Sequence, residues 1–117
     1  DKSKNSIISS LEKIIIKDKR FLDSQISLEI IASELEVSKG HLSRLIHSEL
    51  HTSFTDYINL LRIDEAKSHL INPSFSNYTL AAIGLEAGFN SKSTFYSTFK
   101  KITGRTPLQF KNEETNK

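Results

Sequence analysis

The sequence predicts an all-α fold of about seven helices, in which two helix-turn-helix subdomains are joined by a long central helix. Three observations carry that prediction. Apolar residues recur at three- and four-residue intervals along most of the chain, the spacing of one helix face. Serine or threonine opens most of these stretches, and glycine or proline closes several of them. Finally, a pattern of helix, tight turn and second helix occurs twice. Leu28, Ile31 and Val37 match Leu80, Ile83 and Phe89 at an offset of 52 residues, and Leu42, Ile46 and Ser53 match Phe95, Phe99 and Thr106 at 53, so one residue is inserted in the second turn. Two copies do not make a solenoid array, but chance agreement of two helices, a pivot and a following cap is not expected.

Each element has a local reason. Asp1–Asn5 is polar and reads as a linker end. From Ser6, the residues Ile7, Ile8, Leu11, Ile14 and Ile15 follow helical spacing, as a packing helix or a dimer seam. Phe21 to Ser24 reads as a turn. Ser27 caps a helix through Glu36 with Leu28, Ile31, Ala32 and Leu35 inward, and Val37 is a buried pivot. Ser38 caps the next helix, which runs to about Leu50. There Leu42, Leu45, Ile46 and Glu49 share one side, and Gly40, Ser43, Arg44 and His47 share the other.

The stretch Ser53–Ile71 reads as one uninterrupted helix, capped by Ser53 and stopped by Asn72-Pro73 because proline disfavours helical geometry in the preceding residue. At about 1.5 Å per residue it is roughly 28 Å long, close to the roughly 34 Å repeat of a DNA turn. Pro73–Tyr78 is a loop whose two aromatics tuck it down. Thr79 caps a helix with Leu80, Ile83 and Ala87 on one face, and Gly88 ends it in a left-handed conformation. Asn90 or Ser91 caps a helix with Phe95, Phe99 and Ile102 inward and Ser93, Tyr96, Ser97 and Lys100 outward. Gly104 ends it, and Thr106-Pro107 launches a short helix with Leu108 and Phe110 inside, before a tail from Asn112. The domain expectation is therefore a first subdomain over 1–52, a connecting helix over 53–72, and a second subdomain with its tail over 73–117.

Composition bounds the function. The 37% hydrophobic and 26% charged content is ordinary for a globular chain, and a net charge of +2 permits nucleic acid without demanding it. Its distribution says more. Leu28–Glu36 carries Glu29, Glu34 and Glu36 and no base, whereas Ser91–Arg105 carries Lys92, Lys100, Lys101 and Arg105 and no acid. No cysteine excludes a disulfide framework, and the longest aliphatic run, Ile14–Ile16, is far below the roughly 20 residues of a membrane span. A cytoplasmic location is expected for this piece. The absence of methionine suggests a fragment of something longer, whose parent could be membrane-anchored.

Ala87-Gly88-Phe89-Asn90-Ser91, then Ser93-Thr94-Phe95, Phe99-Lys100-Lys101, Thr103-Gly104 and Thr106-Pro107, resemble in order and spacing the signature of the DNA-binding domain of the AraC/XylS family of bacterial transcription regulators. Leu28 to Ala32, Val37-Ser38, Leu42 to Leu45, and Leu61-Arg62-Ile63 to Ala66 extend the resemblance, which covers about Ile7 to Lys111. It implies sequence-specific binding of double-stranded DNA, with two recognition helices in successive major grooves. By position, base reading falls to Gly40, Ser43, Arg44 and His47 in the first unit and to Lys92, Ser93, Tyr96 and Ser97 in the second. Ser38, Lys39, Ser53, Lys100 and Thr106 are the expected phosphate contacts, most of them at or near helix starts. The resemblance further implies an upstream sensory, receiver or membrane segment on the same polypeptide, and leaves a homodimer open.

Three positions depart from the family pattern. Leu50-His51 stands where Thr-Gly is usual, Gly40 replaces a large base-contacting side chain, and Ser97 stands where arginine is frequent. The first unit is therefore the better base reader, and the second contributes mainly phosphate grip.

The alternatives are weaker. Arg44 could contact guanine O6 and N7 or could be a solvated arginine, and the surrounding double unit favours the former. Arg62 suits a phosphate or an ion pair with Glu65 equally well. His47 and His51 are one turn apart, but no third ligand is evident, so no metal or cofactor is expected. The phenylalanines read as core, not as a base-stacking platform. No phosphate loop, metalloprotease motif or nucleophile elbow is present, so the chain is not expected to be an enzyme. The rival reading is a helical protein-protein interaction or dimerisation module without specific DNA readout. RNA binding is disfavoured because A-form major grooves exclude a helix.

Overall fold

The computed structural model describes residues 4–117. These form α1 (Lys4–Glu12), α2 (Leu28–Glu34), α3 (Lys39–Leu50), α4 (Phe54–Ile71), α5 (Leu80–Glu86), α6 (Lys92–Thr103) and α7 (Pro107–Thr115), with short π- and 3-10-helical turns among them. The chain divides into two compact units, Asp1–Ile58 and Asn59–Lys117, the division falling inside α4.

In the first unit, α1 and α2 both pack on α3. Ile7, Leu11, Ile15, Ile31, Leu42 and Ile46 are buried there. The expected polar linker end lies partly outside the described residues, and α1 already includes Lys4 and Asn5. Beyond Glu12 the helical stripe continues as a π turn, Lys13–Lys17, closed by the Asp18 N–H on the Lys13 carbonyl at 2.9 Å. That wider register buries Ile15 fully and leaves Ile16 exposed. Arg20, on the following 3-10 turn, donates both guanidinium arms to Glu34 at 2.8 Å, tying that turn to α2. The paired hydrogen bond holds the Glu34 carboxyl below its usual range.

The two units repeat each other in detail. α2 and α5 have seven residues each, and α3 and α6 have twelve. The hydroxyls of Ser27, Ser38 and Ser53 accept from the N–H of Ile30, His41 and Asp56, all at 3.1 Å. Thr79, Ser91 and Thr106 do the same for Ala82, Thr94 and Gln109 at 3.0 to 3.1 Å. Each such cap is worth about 1 kcal/mol. The turns also share hydrogen bonds: Val37 N–H donates to the Ala32 carbonyl at 3.0 Å, as Phe89 does to Gly84 at 3.1 Å.

The left-handed positions show where the copies differ. Gly88 at φ 105° and Gly104 at φ 80° end α5 and α6, and their counterparts are Glu36 at φ 59° and His51 at φ 58°. The α3 terminus thus has the same left-handed geometry without a glycine, a strain of roughly 1–2 kcal/mol for a residue carrying a Cβ. His51 is exposed, so His51→Gly forfeits little packing. It is expected to raise stability by about 1 kcal/mol, read as a higher urea midpoint at unchanged m-value.

The second unit encloses Phe89, Phe95, Phe99 and Phe110 with Ile63, Ala66 and Leu70 of α4 and Ile83 and Ala87. The Phe95 ring lies 5.3 Å from Phe89 and 5.8 Å from Phe99, and Phe99 lies 5.6 Å from Phe110, in tilted or edge-on contacts. The loop after α4 is held by Phe75, which stacks on His69 at 4.0 Å and meets Tyr78 edge-on at 4.8 Å. His69 donates through Nε2 to Glu65 at 2.9 Å.

Several sequence expectations are corrected. Ile102 is 36% and Leu108 52% exposed, because α6 turns the first, and α7 the second, away from the phenylalanine cluster, and only Pro107 and Phe110 of α7 are buried. α7 continues to Thr115 in place of a tail from Asn112. Val37 is half-buried, unlike its larger counterpart Phe89. α2 ends at Glu34, with Leu35 as its C-cap.

Tyr57 of α4 is half-buried, and its hydroxyl has no hydrogen-bond partner among the described residues. Burial, helped by the negative charge of Glu12, pushes its phenol up to about 12. A raised folded value leaves stability intact below the ordinary value near 10 and removes it as pH rises from 10 towards 12. The wild-type protein should therefore lose about 1 kcal/mol more than Tyr57→Phe between pH 9 and pH 11, measured by urea unfolding.

Candidate nucleic-acid interface

The face of α3 opposite its core side chains carries Gly40, Ser43, Arg44 and His47, one helical stripe. Gly40, Arg44 and His47 are exposed, and Ser43 is half-buried. A Cβ at Gly40 would lie 3.3 Å from Nη1 of Arg44, so the missing side chain gives the guanidinium room over the start of the helix. No carboxylate among the described residues pairs with Arg44. Its five donors are therefore available to an acceptor.

Around the start of α3, Ile26, Leu28, Glu29, Lys39, Ser43, Ser53, Phe54 and Thr55 line an open cleft of about 470 Å³. It gathers two expected phosphate contacts, Lys39 and Ser53. Lys39 is engaged with Glu29 of α2 at 3.2 Å, a pair that one-dimensional charge patterning missed because the partners are ten residues apart on different helices. Ser38 and Ser53 each spend a hydroxyl lone pair on their own helix, which leaves the O–H proton free to donate.

On α6, Lys92, Ser93, Ser97 and Lys100 are exposed. Lys92 Nζ lies 5.4 Å from the Tyr96 ring centroid, a cation–π arrangement. Tyr96, expected to face outward, is half-buried, its ring edge-on to Phe95 at 5.7 Å and packed against the core. Ser97 donates back to the Thr94 carbonyl at 3.3 Å. At α7, the Thr106 N–H is occupied by Oε1 of Gln109 at 2.8 Å, so its backbone donor is spent within the capping box. Arg105 is tied to Glu113 at 2.6 Å, lies 4.9 Å from the Phe110 ring, and is not a free cation. Arg62 is half-buried with its guanidinium 5.9 Å from the Phe89 ring.

Among the described residues, no group of three or more His, Asp or Glu is placed to hold a metal ion. No helix there is long and apolar enough to cross a membrane.

A family model described as a helix-turn-helix domain matches residues 31–113. A solved transcriptional regulator from Chromobacterium violaceum, described as containing an AraC-type DNA-binding domain, superposes with a TM-score of 0.66 at 30% identity, over 75% of this chain and 76% of that one. The chain belongs to the AraC/XylS family of transcription regulators. Another solved structure, the C-terminal domain of AraT, a response regulator from Geobacillus stearothermophilus, gives a TM-score of 0.82 at 29% identity, covering 92% of this chain and 84% of that one. An uncharacterized HTH-type transcriptional regulator of Staphylococcus aureus is 32% identical over 88 residues, which is 75% of this chain. The chain spans only 11% of that relative's length. The family match runs from within α2 to within α7, taking in both turns and both second helices, and makes this a DNA-binding domain of a transcription regulator.

Proposed function

We propose that the domain binds double-stranded DNA sequence-specifically as the output part of a bacterial transcription regulator, each unit offering its second helix to a major groove. The supporting observation is the duplicated, identically capped unit with an unpaired Arg44 on the outer face of α3. In this reading Arg44 is the principal base reader, assisted by Ser43, while Gly40 makes room for it. On α6, Ser93 and Lys92 face the bases, with Ser97 and the half-buried Tyr96 at the edge of that surface. Lys100, the O–H groups of Ser38 and Ser53, and Thr106 meet phosphates; Lys39 joins them when it leaves Glu29.

The domain is proposed to act in the cytoplasm, and the parent protein to carry a sensory, receiver or membrane segment, with a homodimer left open. The second reading, an interaction module without DNA readout, draws its support from the acidic segment 27–53, where Glu29, Glu34, Glu36 and Glu49 outnumber Lys39 and Arg44.

A gel shift with mixed genomic DNA at low salt separates the two, since only the DNA-binding reading expects a shift. Within that reading, Lys100→Ala should weaken binding to all sequences alike and lower the slope of log K against log salt by about 1. A shift absent at low salt would favour the interaction module.

A further inference from the structure

We propose that His47 is a phosphate-binding residue of the first unit that works only when protonated, taking there the place that Lys100 holds in the second. The inference rests on the DNA-binding reading above and extends it.

α3 and α6 correspond residue by residue at an offset of 53, which puts position 47 on position 100. Both side chains are exposed, and both lie in the last turn of a twelve-residue helix, where the C-terminal end of the helix dipole favours a cation. Each continues the stripe of its helix that carries the proposed base-facing positions: Gly40, Ser43 and Arg44 before His47, and Ser93, Tyr96 and Ser97 before Lys100. One copy has a permanent charge at this place, and the other has an imidazole.

The surroundings make that difference count. Residues 27–53 hold Glu29, Glu34, Glu36 and Glu49 against Lys39 and Arg44, whereas residues 79–106 hold Glu86 against Lys92, Lys100, Lys101 and Arg105. The first helix-turn-helix segment, residues 27–53, therefore has little fixed positive charge to give to phosphates, and Lys39 is already engaged by Glu29. Three of the four histidines lie on or just after α3, at 41, 47 and 51, where the second unit has Thr94, Lys100 and Gly104. His41 is half-buried and His51 holds the left-handed helix end, so only His47 matches a cation.

Of the charged groups near this helix, Arg44, His51, Glu49, Glu29 and Glu34 have the following places. On α3 itself, Arg44 lies one turn before His47 and His51 one turn after, while Glu49 is turned to Lys4 of α1 at 4.0 Å. On α2, Glu29 holds Lys39 at 3.2 Å and Glu34 is taken by Arg20 at 2.8 Å. No carboxylate among the described residues pairs with His47. A phosphate oxygen beside His47 would accept a charge-assisted hydrogen bond from the imidazolium and not from the neutral ring. Proton uptake and DNA binding are thereby coupled, and each must favour the other by the same factor. Since histidine ordinarily changes charge between pH 5 and 8, affinity rises as pH falls across that window.

The test uses the 117-residue chain and a fluorescently labelled mixed-sequence 30-base-pair duplex, titrated with salt at pH 8 and pH 6. The expected result is several-fold tighter binding at pH 6, with a log–log salt slope steeper by about 1. His47→Gln abolishes the pH dependence, His47→Lys binds tightly at both pH values, and His41→Asn and His51→Gln retain the rise, all with wild-type circular dichroism. Binding that is flat with pH, or a rise that survives His47→Gln, overturns the assignment of His47 while leaving the DNA-binding reading intact. No duplex binding at either pH overturns both.

Discussion

Replacing Gly84 with alanine is expected to destabilise the second unit by about 1–3 kcal/mol, the cost of forcing a methyl group into a filled core. The glycine is buried in α5, and a Cβ built on it would lie 2.5 Å from Cγ and 2.9 Å from Cβ of Phe95. Phe95 cannot yield, because it is fully buried with Phe89, Tyr96 and Phe99 around it. The repeat supplies the compensating change: the positions matched to Gly84 and Phe95 are Ala32 and Leu42 in the first unit, both buried. Small against large in one copy is exchanged for medium against medium in the other. Gly84→Ala combined with Phe95→Leu should therefore be more stable than additivity predicts, with a coupling of about 1 kcal/mol or more in a double-mutant cycle read by urea unfolding. Strict additivity would show that the two positions do not share one packing volume.

Arg44→Ala is expected to lower affinity for a cognate site by about 1–3 kcal/mol and to relax preference at a single base pair. In the proposed reading a bidentate guanidinium contact to guanine would supply both effects, since the planar fork fixes which base edge is accepted. Arg44→Lys should recover part of the affinity and little of the preference, because a compact ammonium keeps the charge without the fork. A loss of affinity equal on every sequence would instead make Arg44 a phosphate contact.

The fold was legible in the sequence chiefly where local chemistry decides it. Ser27, Ser38, Thr79 and Ser91 cap as their spacing implies, and Gly88 and Gly104 take positive φ, because capping and left-handed turns depend on a few consecutive residues. The repeat offset carried the alignment of the two units, including the one-residue insertion that falls at Asn90. Less legible was anything set by packing or by register. The π turn at Lys13–Lys17 has the same apolar stripe as an α-helix, and periodicity does not report which carbonyl each N–H reaches. Ile102 and Leu108 are apolar yet exposed, since a spacing rule cannot tell where the core runs out.

The candidate site divides in the same way. The α3 stripe of Gly40, Ser43, Arg44 and His47 follows from helical spacing alone. The engagement of Lys39 by Glu29, the room that Gly40 gives Arg44, and the inward lean of Tyr96 depend on side chains meeting across elements or turns. His51 shows the limit of residue-type rules most clearly: the left-handed end is set by the turn that must follow, and a histidine accepts it at a cost.

The most direct test of sequence reading by two helix-turn-helix units is selection of bound sites from a random duplex library, run in parallel on the wild-type chain and on Arg44→Ala. The expected result is an enriched site with two short blocks about one helical turn apart, one of which loses a defined base pair in the variant. A library that shows no enrichment, or the same enriched site for both proteins, would contradict the account.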